Sequence, residues 1–295
     1  MTDFSLKYDE YLNFFEESLE NRLNALSAAA PQVIKDAMRY AVCGGGKRVR
    51  PVLCYAVCEM LGRDKSAVKN LALAIEFIHS YSLVHDDLPA MDNDDYRRGK
   101  LSTHKKFGES TGILAGDALL NFAFETVFSD ISEVNASNGY IAAAALIAEY
   151  AGYSGMVGGQ ILDLENENGE VVTEKALYDI YLNKTAKLIS APILAASCVN
   201  EKKRYYELKE YGYNIGILFQ ITDDIMDACG TLEEIGKTPR KDDAENKLTS
   251  IKVFGLKGAK ERAFEHYIKA KNIIEKIDGI GFLTEFTDKL YKRNK

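Results

Sequence analysis

Apolar residues recur at three- and four-residue spacing along most of the chain, the pattern of helices that bury one or more faces. Alternating apolar and polar positions, which would predict strands, are nearly absent, and no Pro/Gly/Ser-rich linker interrupts the sequence. We therefore expect one all-α domain over residues 1–295. The predicted helical segments are Tyr11–Leu26, Val52–Leu61, Ala67–Val84, Thr111–Phe128, Gly139–Tyr150, Glu174–Val199, Tyr205–Met226 and Ala259–Ile277.

One predicted helix, Ala67–Val84, is apolar on nearly every side. A helix that is hydrophobic all round lies inside a protein, so its few polar residues should be internal. This helix leads directly to Asp86, and a second apolar helix, Asn214–Met226, also leads into acidic residues. Two inner helices that deliver acids to one end of a bundle predict a deep apolar cavity with a charged mouth.

The composition excludes some classes of protein. Apolar residues make up 46% of the chain and charged residues 27%, a balance typical of soluble globular proteins. The net charge of −7 argues against a nucleic-acid binder, which normally has a basic excess. The five cysteines show neither zinc-ligand nor disulfide spacing. No signal peptide or stretch of membrane-spanning length is evident, so we expect a cytoplasmic protein without a membrane span.

Two aspartate clusters are the most informative feature: Asp86, Asp87 and Asp92, and Asp223, Asp224 and Asp227. Carboxylates in an apolar context are costly unless they are paired, and Mg²⁺ on one or two carboxylates usually carries a substrate phosphate. Asp223 and Asp227 share a helix face with Gln220. Asp86 and Asp92 would diverge on a continuous helix, but Pro89 should end that helix and let both face one site. The clusters predict a diphosphate between two acidic walls; a solvated acidic turn is the alternative for either cluster alone.

A basic segment, Gly44–Pro51 (GGGKRVRP), supplies the opposite charge through Lys47, Arg48 and Arg50. Flexible glycines followed by cations suit an oxyanion, and arginine can contact phosphate through two hydrogen bonds. No Ser or Thr follows Lys47, so the segment is not a Walker P-loop. The alternative is a basic surface turn, but Arg97 and Arg98, just after the first acidic cluster, favour anion binding.

Further candidate anion ligands are His79, Lys184, Thr185 and Lys237. His79 lies two helical turns before Asp86, about 10 Å below it, where it could serve a second anionic ligand. A core histidine that bonds a backbone carbonyl is the alternative for His79, and solvated side chains are the alternative for the two lysines.

Taken in order, these motifs resemble the trans-polyprenyl diphosphate synthase family, and within it the bacterial-type farnesyl diphosphate synthases. The resemblance covers nearly the whole chain, and the ordered set is far more specific than any one motif. The motifs are GGGKRVRP, YSLVHDDLPAMDNDDYRRGK, THKKFGES, ILAGDALL, GMVGGQILDLE, NKTAKLI, FQITDDIMD and GTLEEIGKT. The terminal Arg293, Asn294 and Lys295 are similar to the family's basic tail.

The resemblance implies an all-α isoprenoid-synthase helical bundle around a deep central cavity, and a homodimer. The implied reaction joins isopentenyl diphosphate to dimethylallyl or geranyl diphosphate and gives farnesyl diphosphate, a C15 product. The implied cofactor is Mg²⁺, three ions per active site, with Mn²⁺ as a substitute. The implied metal ligands are Asp86, Asp92 and Asp223, with Asp87, Asp224 and Asp227 in support.

The resemblance also assigns the substrate contacts. The allylic diphosphate would contact Arg97, Lys184, Thr185, Gln220 and Lys237, of which Lys184, Gln220 and Lys237 would take part in catalysis. Isopentenyl diphosphate would contact Lys47, Arg50, His79 and Arg98. Gln160 and Asp163 would belong to a hydrogen-bonded network beside the metals.

Product length has its own candidate residues, Tyr81 and Ser82. Tyr81 lies five residues before Asp86, one to two turns deeper along the cavity wall, where a bulky aromatic would block a growing chain as in enzymes that stop at C15. Ordinary core packing of Tyr81 is the alternative. The chain departs from its relatives at residues 247–251, where many of them carry Lys-x-Thr-Tyr-Pro and this chain reads Lys-Leu-Thr-Ser-Ile; the packing of that segment is open.

Three other functions stay open on the sequence. The chain could be a C20 or longer-chain synthase, a class I terpene cyclase, or a regulatory subunit of a heteromeric synthase. The second aspartate cluster and GGGKRVRP argue against a cyclase, and two intact acidic clusters argue against a subunit that has lost its metals.

Overall fold

The structure, a computed structural model, describes residues 3–133, 137–166, 172–229 and 247–293. Within these ranges the chain forms helices and one short hairpin. The helices are α1 Asp3–Asn24, α2 Gln32–Val42, α3 Val49–Met60, α4 Lys69–Asp86, α5 Thr103–Phe107, α6 Glu109–Glu133, α7 Asn138–Ala151, α8 Met156–Asn166, α9 Glu174–Ile180, α10 Lys187–Val199, α11 Tyr205–Cys229, α12 Ser250–Ile274 and α13 Phe282–Lys292. A 3₁₀ turn, Lys65–Val68, precedes α4, and a π-helical turn, Tyr181–Ala186, joins α9 to α10.

The expected all-α bundle is confirmed, and each predicted helical segment coincides with a helix. One prediction is refined, since residues 174–199 form two helices on either side of the π-helical turn. The pattern missed α2, α8 and α13, and also the five-residue helix α5. Helices of eleven residues show only three periods, and two adjacent glycines in α8 lower its helix propensity.

Helix α4 lies at the centre of the bundle, as its apolar sequence predicts. It packs against α6 on one side and against α3 and α10 on others, and even Glu76 and Ser80 are buried. The helix ends at Asp86, three residues before Pro89, because proline disfavours helical geometry in the residue before it. The acidic cluster therefore lies at the exit of a buried helix.

Helices α10 and α11 complete the core. The described side chains of α10 from Leu188 to Val199 are all buried, and α10 packs between α3, α7 and α11. Helix α11 packs on its other side against α12. Buried apolar residues from α1 to α13 form a continuous hydrophobic cluster, and this cluster holds α4 and α11 in fixed positions relative to each other.

One segment of the described chain, Asn138–Asn166, is long and apolar enough to cross a membrane by length and composition. This finding differs from the expectation that no such stretch exists. The segment comprises α7 and α8, and 28% of its apolar window is buried. A single segment of this kind is weak support for a membrane span, because helices of globular proteins pass the same test. The expected cytoplasmic location stays a prediction.

Candidate active site

A cavity of about 550 Å³ lies between α4, α6, α8, the π-helical turn and α11. Most of its wall is apolar, with Tyr81, Leu88, Ile113, Met156, Ile161 and Leu188 among the lining residues. Asp86 lines it from the end of α4 and Asp223 from the C-terminal part of α11, and Arg50 and His79 line it from α3 and α4. The structure therefore contains the deep apolar cavity with charged groups at its mouth. We call it the central cavity.

A second cavity of about 260 Å³, the acid cavity, adjoins the central cavity and contains Asp86, Asp92 and Asp223. The two cavities share Asp86 and Asp223. Asp92 reaches this site because the chain folds back after α4, and the Asp92 amide donates a 2.9 Å hydrogen bond to the Asp86 carbonyl. The structure thus brings together the three aspartates that were assigned to metal, from opposite walls.

Asp86 and Asp87 have different surroundings although they are neighbours in sequence. Burial raises the pKa of Asp86 to about 6; Lys184 acts in the opposite direction, and Asp92 adds to the rise. Asp87 is 2% exposed and does not line the acid cavity. Its carboxylate accepts a 2.9 Å hydrogen bond from Arg97 Nε. Asp87 therefore holds a cation in place, and Asp86 faces the substrate space.

The three aspartates of α11 also have different surroundings. Asp223 and Asp224 both line the acid cavity, but Asp224 is buried and its carboxylate is held by the protein. The Asp224 carboxylate accepts hydrogen bonds from the Tyr181 hydroxyl, from the Ser250 amide at 2.7 Å and from Gln220 Nε2 at 3.0 Å. Burial raises the pKa of Asp224 to about 7 against these hydrogen bonds. Asp227 is also buried and is not among the described residues that line the acid cavity.

The carboxylates fit Mg²⁺ that is held jointly with a diphosphate. Among the described residues, no three His, Cys, Asp or Glu side chains are close enough together to hold one ion. Asp86 and Asp92 instead face Asp223 across the acid cavity. Mg²⁺ commonly takes one or two carboxylates and completes its octahedral shell with water and phosphate oxygens. Carboxylates on two sides of an open cavity leave coordination positions of Mg²⁺ free for water and phosphate oxygens, whereas a cage made only of protein ligands would not.

A short hairpin sends two adjacent arginines to two different places. Strands β1 Tyr96–Arg97 and β2 Lys100–Leu101 pair in antiparallel register, and Arg98 and Gly99 both have positive φ in the turn between them. Arg97 lines the acid cavity and bonds Asp87. Arg98 points the other way and donates to the Gly45 carbonyl. The tight turn therefore places one cation beside each predicted diphosphate.

A third cavity, of about 520 Å³, collects the cations and is called the cation cavity. Its lining includes six basic side chains and two others, Glu76 and Phe219; the basic ones are Lys47, Arg48, Arg50, His79, Arg98 and Arg293. Burial lowers the pKa of Arg50 to about 10, although the group stays charged at neutral pH. Burial, with Arg50 and Arg98 nearby, holds the pKa of His79 well below its usual value. His79 is therefore a neutral hydrogen-bonding group in a site whose charge comes from the other residues.

One cation of the basic segment has a structural role instead. Arg48 is buried and forms ion pairs of 2.8 Å with both Glu16 and Glu76. It also donates to the Val42 carbonyl at 2.8 Å. Arg48 also lines the cation cavity, but Glu16, Glu76 and the Val42 carbonyl engage its donors. We therefore assign Arg48 to holding Glu76, and oxyanion binding by all three cations of GGGKRVRP stays a prediction.

The π-helical turn presents Lys184 and Thr185 to the site. Lys184 forms an ion pair with Asp163 of α8, and Thr185 donates a 2.9 Å hydrogen bond to Gln220 Oε1. Helix α8 approaches the turn so closely that a Cβ on Gly159 would lie 2.0 Å from the Lys184 backbone nitrogen. Asp163 thus joins a polar network with Lys184 and lines the acid cavity, while Gln160 lines the central cavity. The role of both residues beside bound metals stays a prediction.

The segment that departs from its relatives packs without the Tyr-Pro pair. Thr249 caps α12 by accepting a hydrogen bond from the Lys252 amide at 3.3 Å. Ser250 is fully buried and donates to Asp224 through both its amide and its hydroxyl, at 2.7 and 2.8 Å. Lys247 Nζ lies 3.3 Å from Asp92 Oδ2. Ser250 therefore attaches residues 247–251 to α11 by hydrogen bonds, which is how this segment packs without the Tyr-Pro pair.

Some functional positions follow from the structure alone. Phe219 lines both the central and the cation cavities, and its only sequence signal is its place before Gln220. Arg293 is 3.9 Å from Asp223, and the sequence indicates Arg293 only as part of a basic tail. Tyr81 and Ser82 do line the central cavity. Lys237, predicted to be catalytic, lies outside the described residues, as do Asn294 and Lys295.

Fold and site together define a class: an all-α protein with one apolar cavity that opens onto an acidic compartment and a cationic compartment. The polyprenyl synthetase family model matches residues 31–279. The chain belongs to the polyprenyl synthetase family.

The relatives that match this chain include both farnesyl and geranylgeranyl diphosphate synthases by name. A farnesyl diphosphate synthase of Micrococcus luteus is 40% identical over 254 residues, which cover 85% of this chain and 84% of the relative. A chloroplastic geranylgeranyl pyrophosphate synthase of Capsicum annuum is 41% identical over 256 residues, which cover 86% of this chain and 69% of the relative. The chain spans about two thirds of the length of the plant relatives that it matches.

The fold agrees with a solved structure whose ligands are named. A geranyltransferase from Helicobacter pylori, complexed with magnesium and isoprenyl diphosphate, superposes with a TM-score of 0.81 at 30% identity. The superposition covers 97% of this chain and 96% of the other. The isoprenoid-synthase fold expected from the sequence is thereby shown.

Proposed function

We propose that this protein is a Mg²⁺-dependent trans-prenyltransferase that condenses isopentenyl diphosphate with dimethylallyl or geranyl diphosphate to give farnesyl diphosphate. One observation supports this proposal above the others. The central cavity shares Asp86, Asp223 and Lys184 with the acid cavity, and it shares Arg50 and His79 with the cation cavity. Two diphosphates of different binding chemistry can therefore face one apolar space.

The proposed arrangement puts the allylic diphosphate in the acid cavity and its hydrocarbon chain in the central cavity. Isopentenyl diphosphate takes the cation cavity, where Lys47, Arg50 and Arg98 supply positive charge and His79 supplies a neutral hydrogen bond. Bound Mg²⁺ supplies charge neutralisation of the leaving diphosphate. Asp86, Asp92 and Asp223 would hold this metal. We expect three Mg²⁺ ions per active site, with Mn²⁺ as a possible substitute.

The chain's own residues then favour each step of the reaction. Lys184 and Arg97 direct cationic donors at the diphosphate on which charge develops, and fixed donors of this kind stabilise a transition state. The allylic C–O bond breaks, with its electron pair leaving on diphosphate. The double bond of isopentenyl diphosphate attacks the allylic carbon, a C–C bond forms, and a proton leaves to the released diphosphate. The apolar walls exclude water that would capture the cation.

The C15 product is proposed because Tyr81 is buried and lines the central cavity below Asp86. A C20 product is the second candidate, since geranylgeranyl synthases match as well as the farnesyl synthase does. The deciding assay incubates the protein with Mg²⁺, labelled isopentenyl diphosphate and each allylic starter. The products are dephosphorylated and separated by chain length; farnesol is expected. Diphosphate release without isopentenyl diphosphate would favour a cyclase, and no turnover would favour a regulatory subunit.

A homodimer is also proposed. Ile113, Val157 and Ile161 line the central cavity yet are 46%, 43% and 52% exposed. Leu114 and Phe128 of α6, about 60% exposed, extend this apolar surface, and a second copy that covers it would help to keep the cavity dry. A stable interface of this kind buries more than about 1,000 Å². Sedimentation at micromolar concentration should give twice the chain mass; a monomer that retains full turnover would contradict the proposal.

A further inference from the structure

We propose that His85 is a second determinant of product length and that Gly116 of α6 holds it in position. The inference rests on the proposed prenyltransferase function. His85 lies in the last turn of α4, next to Asp86, and its ring lines the central cavity. The ring meets the Tyr81 ring edge-on, with centroids 5.8 Å apart and an interplanar angle of 81°. The two rings therefore form one continuous part of the cavity wall.

Contacts with α6 fix the orientation of the His85 ring. Nε2 is 2.9 Å from the Ile113 carbonyl oxygen, a distance at which an Nε2–H donates to that oxygen. The same nitrogen is 3.9 Å from Asp117 Oδ1. Both contacts hold the ring against α6 and away from the centre of the cavity.

Gly116 makes this orientation possible. A Cβ at position 116 would lie 2.0 Å from His85 Nε2 and 2.3 Å from Cδ2, well inside van der Waals contact. Since α6 is packed along α4, its backbone has little room to retreat, and the imidazole is the movable partner. The space beside the ring is the central cavity itself. Any side chain at position 116 should therefore turn the ring into the space that the product occupies.

Opposite changes of product length follow for two substitutions. Gly116→Ala should push the ring inward and shorten the product, so that the ratio of C10 to C15 rises. His85→Ala should remove part of the wall beside Tyr81, so that the ratio of C20 to C15 rises. One methylene in an apolar pocket changes selectivity by roughly tenfold or more, so we expect each ratio to change by about that factor. The double variant should resemble His85→Ala, because no ring remains to be displaced.

The experiment measures product ratios at equal conversion for the wild type, both single variants and the double variant. Gly212→Ala is the matched control, since its Cβ would meet the Ser190 side chain at 2.9 Å and neither residue lines the central cavity. This control should keep the wild-type ratios even if it lowers stability. A wild type that forms no prenyl product refutes the proposed function itself.

With an active wild type, either of two results overturns the role of His85 and Gly116. One is an unchanged product distribution in His85→Ala, which decides the matter even if Gly116→Ala does not fold. The other is a folded Gly116→Ala enzyme with wild-type ratios. A double variant that keeps the short product of Gly116→Ala would also refute the mechanism, because the effect would then not pass through the ring.

Discussion

Two adjacent carboxylates, Asp86 and Asp87, should respond to the same substitution in opposite ways. Asn is nearly the same size as Asp, so each change removes the charge with little change in shape. Asp86 lines the acid cavity with its pKa raised by burial. Asp87 is paired with Arg97 and lies outside that cavity. We expect Asp86→Asn to remove activity and Asp87→Asn to remove stability.

The magnitude for Asp86 follows from its pKa. A folded-state pKa of about 6 against the ordinary 3.8 corresponds to about 3 kcal/mol, at 1.4 kcal/mol for each pH unit. Because the folded-state value is the higher one, the ionised carboxylate opposes folding above pH 6, and the cost disappears below pH 3.8. At pH 8 without metal, Asp86→Asn should therefore stabilise the protein by about 1–3 kcal/mol. Activity with Mg²⁺ should fall by about 100-fold or more, as when one stabilising group is removed from a transition state.

Asp87→Asn should have the reverse profile. Burial raises the pKa of Asp87 as well, against the effect of Arg97, so removing this charge also relieves a cost of burial. The larger effect is on Arg97, which the change leaves with Asp94 as an ion-pair partner, at 3.3 Å. Breaking a fully buried pair costs about 3–5 kcal/mol. Because the Arg97 side chain is 31% exposed and keeps Asp94, we expect about 1–3 kcal/mol, which lowers the melting temperature by roughly 2–4 °C per kcal/mol in a protein of this size. Turnover per folded molecule should fall far less than in Asp86→Asn.

Thermal unfolding in EDTA and Mg²⁺-dependent turnover, measured on both variants, separate the two roles. Equal destabilisation by the two substitutions would refute the assignment. So would an Asp87→Asn protein that is as stable as the wild type and as inactive as Asp86→Asn.

Three further predictions concern the cavity, the core and the π-helical turn. Tyr81→Ala should lengthen the product beyond C15, and unchanged C15 output on chromatography would refute the role of Tyr81. His266 is buried with its pKa lowered to about 4, so its own contribution to folding stability should fall by about 2 kcal/mol as the pH drops from 6.5 to 5. The raised pKa values of Asp86 and Asp224 act in the opposite direction, so the test compares the wild type with His266→Gln by urea unfolding at pH 7.5 and 5. The difference in stability between the two proteins should change by about 2 kcal/mol, and an unchanged difference would refute the role of His266. Gly159→Ala should push α8 away from Lys184 and lower stability by about 1–3 kcal/mol. It should also lower kcat by a larger factor than it changes KM; unchanged kinetics would mean that catalysis does not need the close approach of α8 to the π-helical turn.

The sequence determined much of the fold and the chemistry of the site. Helical periodicity and an all-apolar segment were enough to predict α4 as a central helix, because burial on every side leaves a local signature. Pro89 predicted where α4 ends, since its effect on the backbone is local too. Most of the aspartates and cations that define the two compartments were visible as residue types at particular spacings, with Arg293 as an exception.

Only the tertiary structure decided which of those residues face the substrate space. Asp86 and Asp87 are indistinguishable in sequence, yet only Asp86 lines the acid cavity. Lys47 and Arg48 both line the cation cavity, yet the Arg48 guanidinium is paired with the buried Glu76. The partners, Arg97 and Glu76, come from other parts of the chain, so no local pattern reports them. The π-helical turn, the docking of Ser250 on Asp224 and the ring of His85 against Gly116 depend likewise on how helices meet. Spacing along one helix sets which side chains share a face, but packing between helices sets what that face touches.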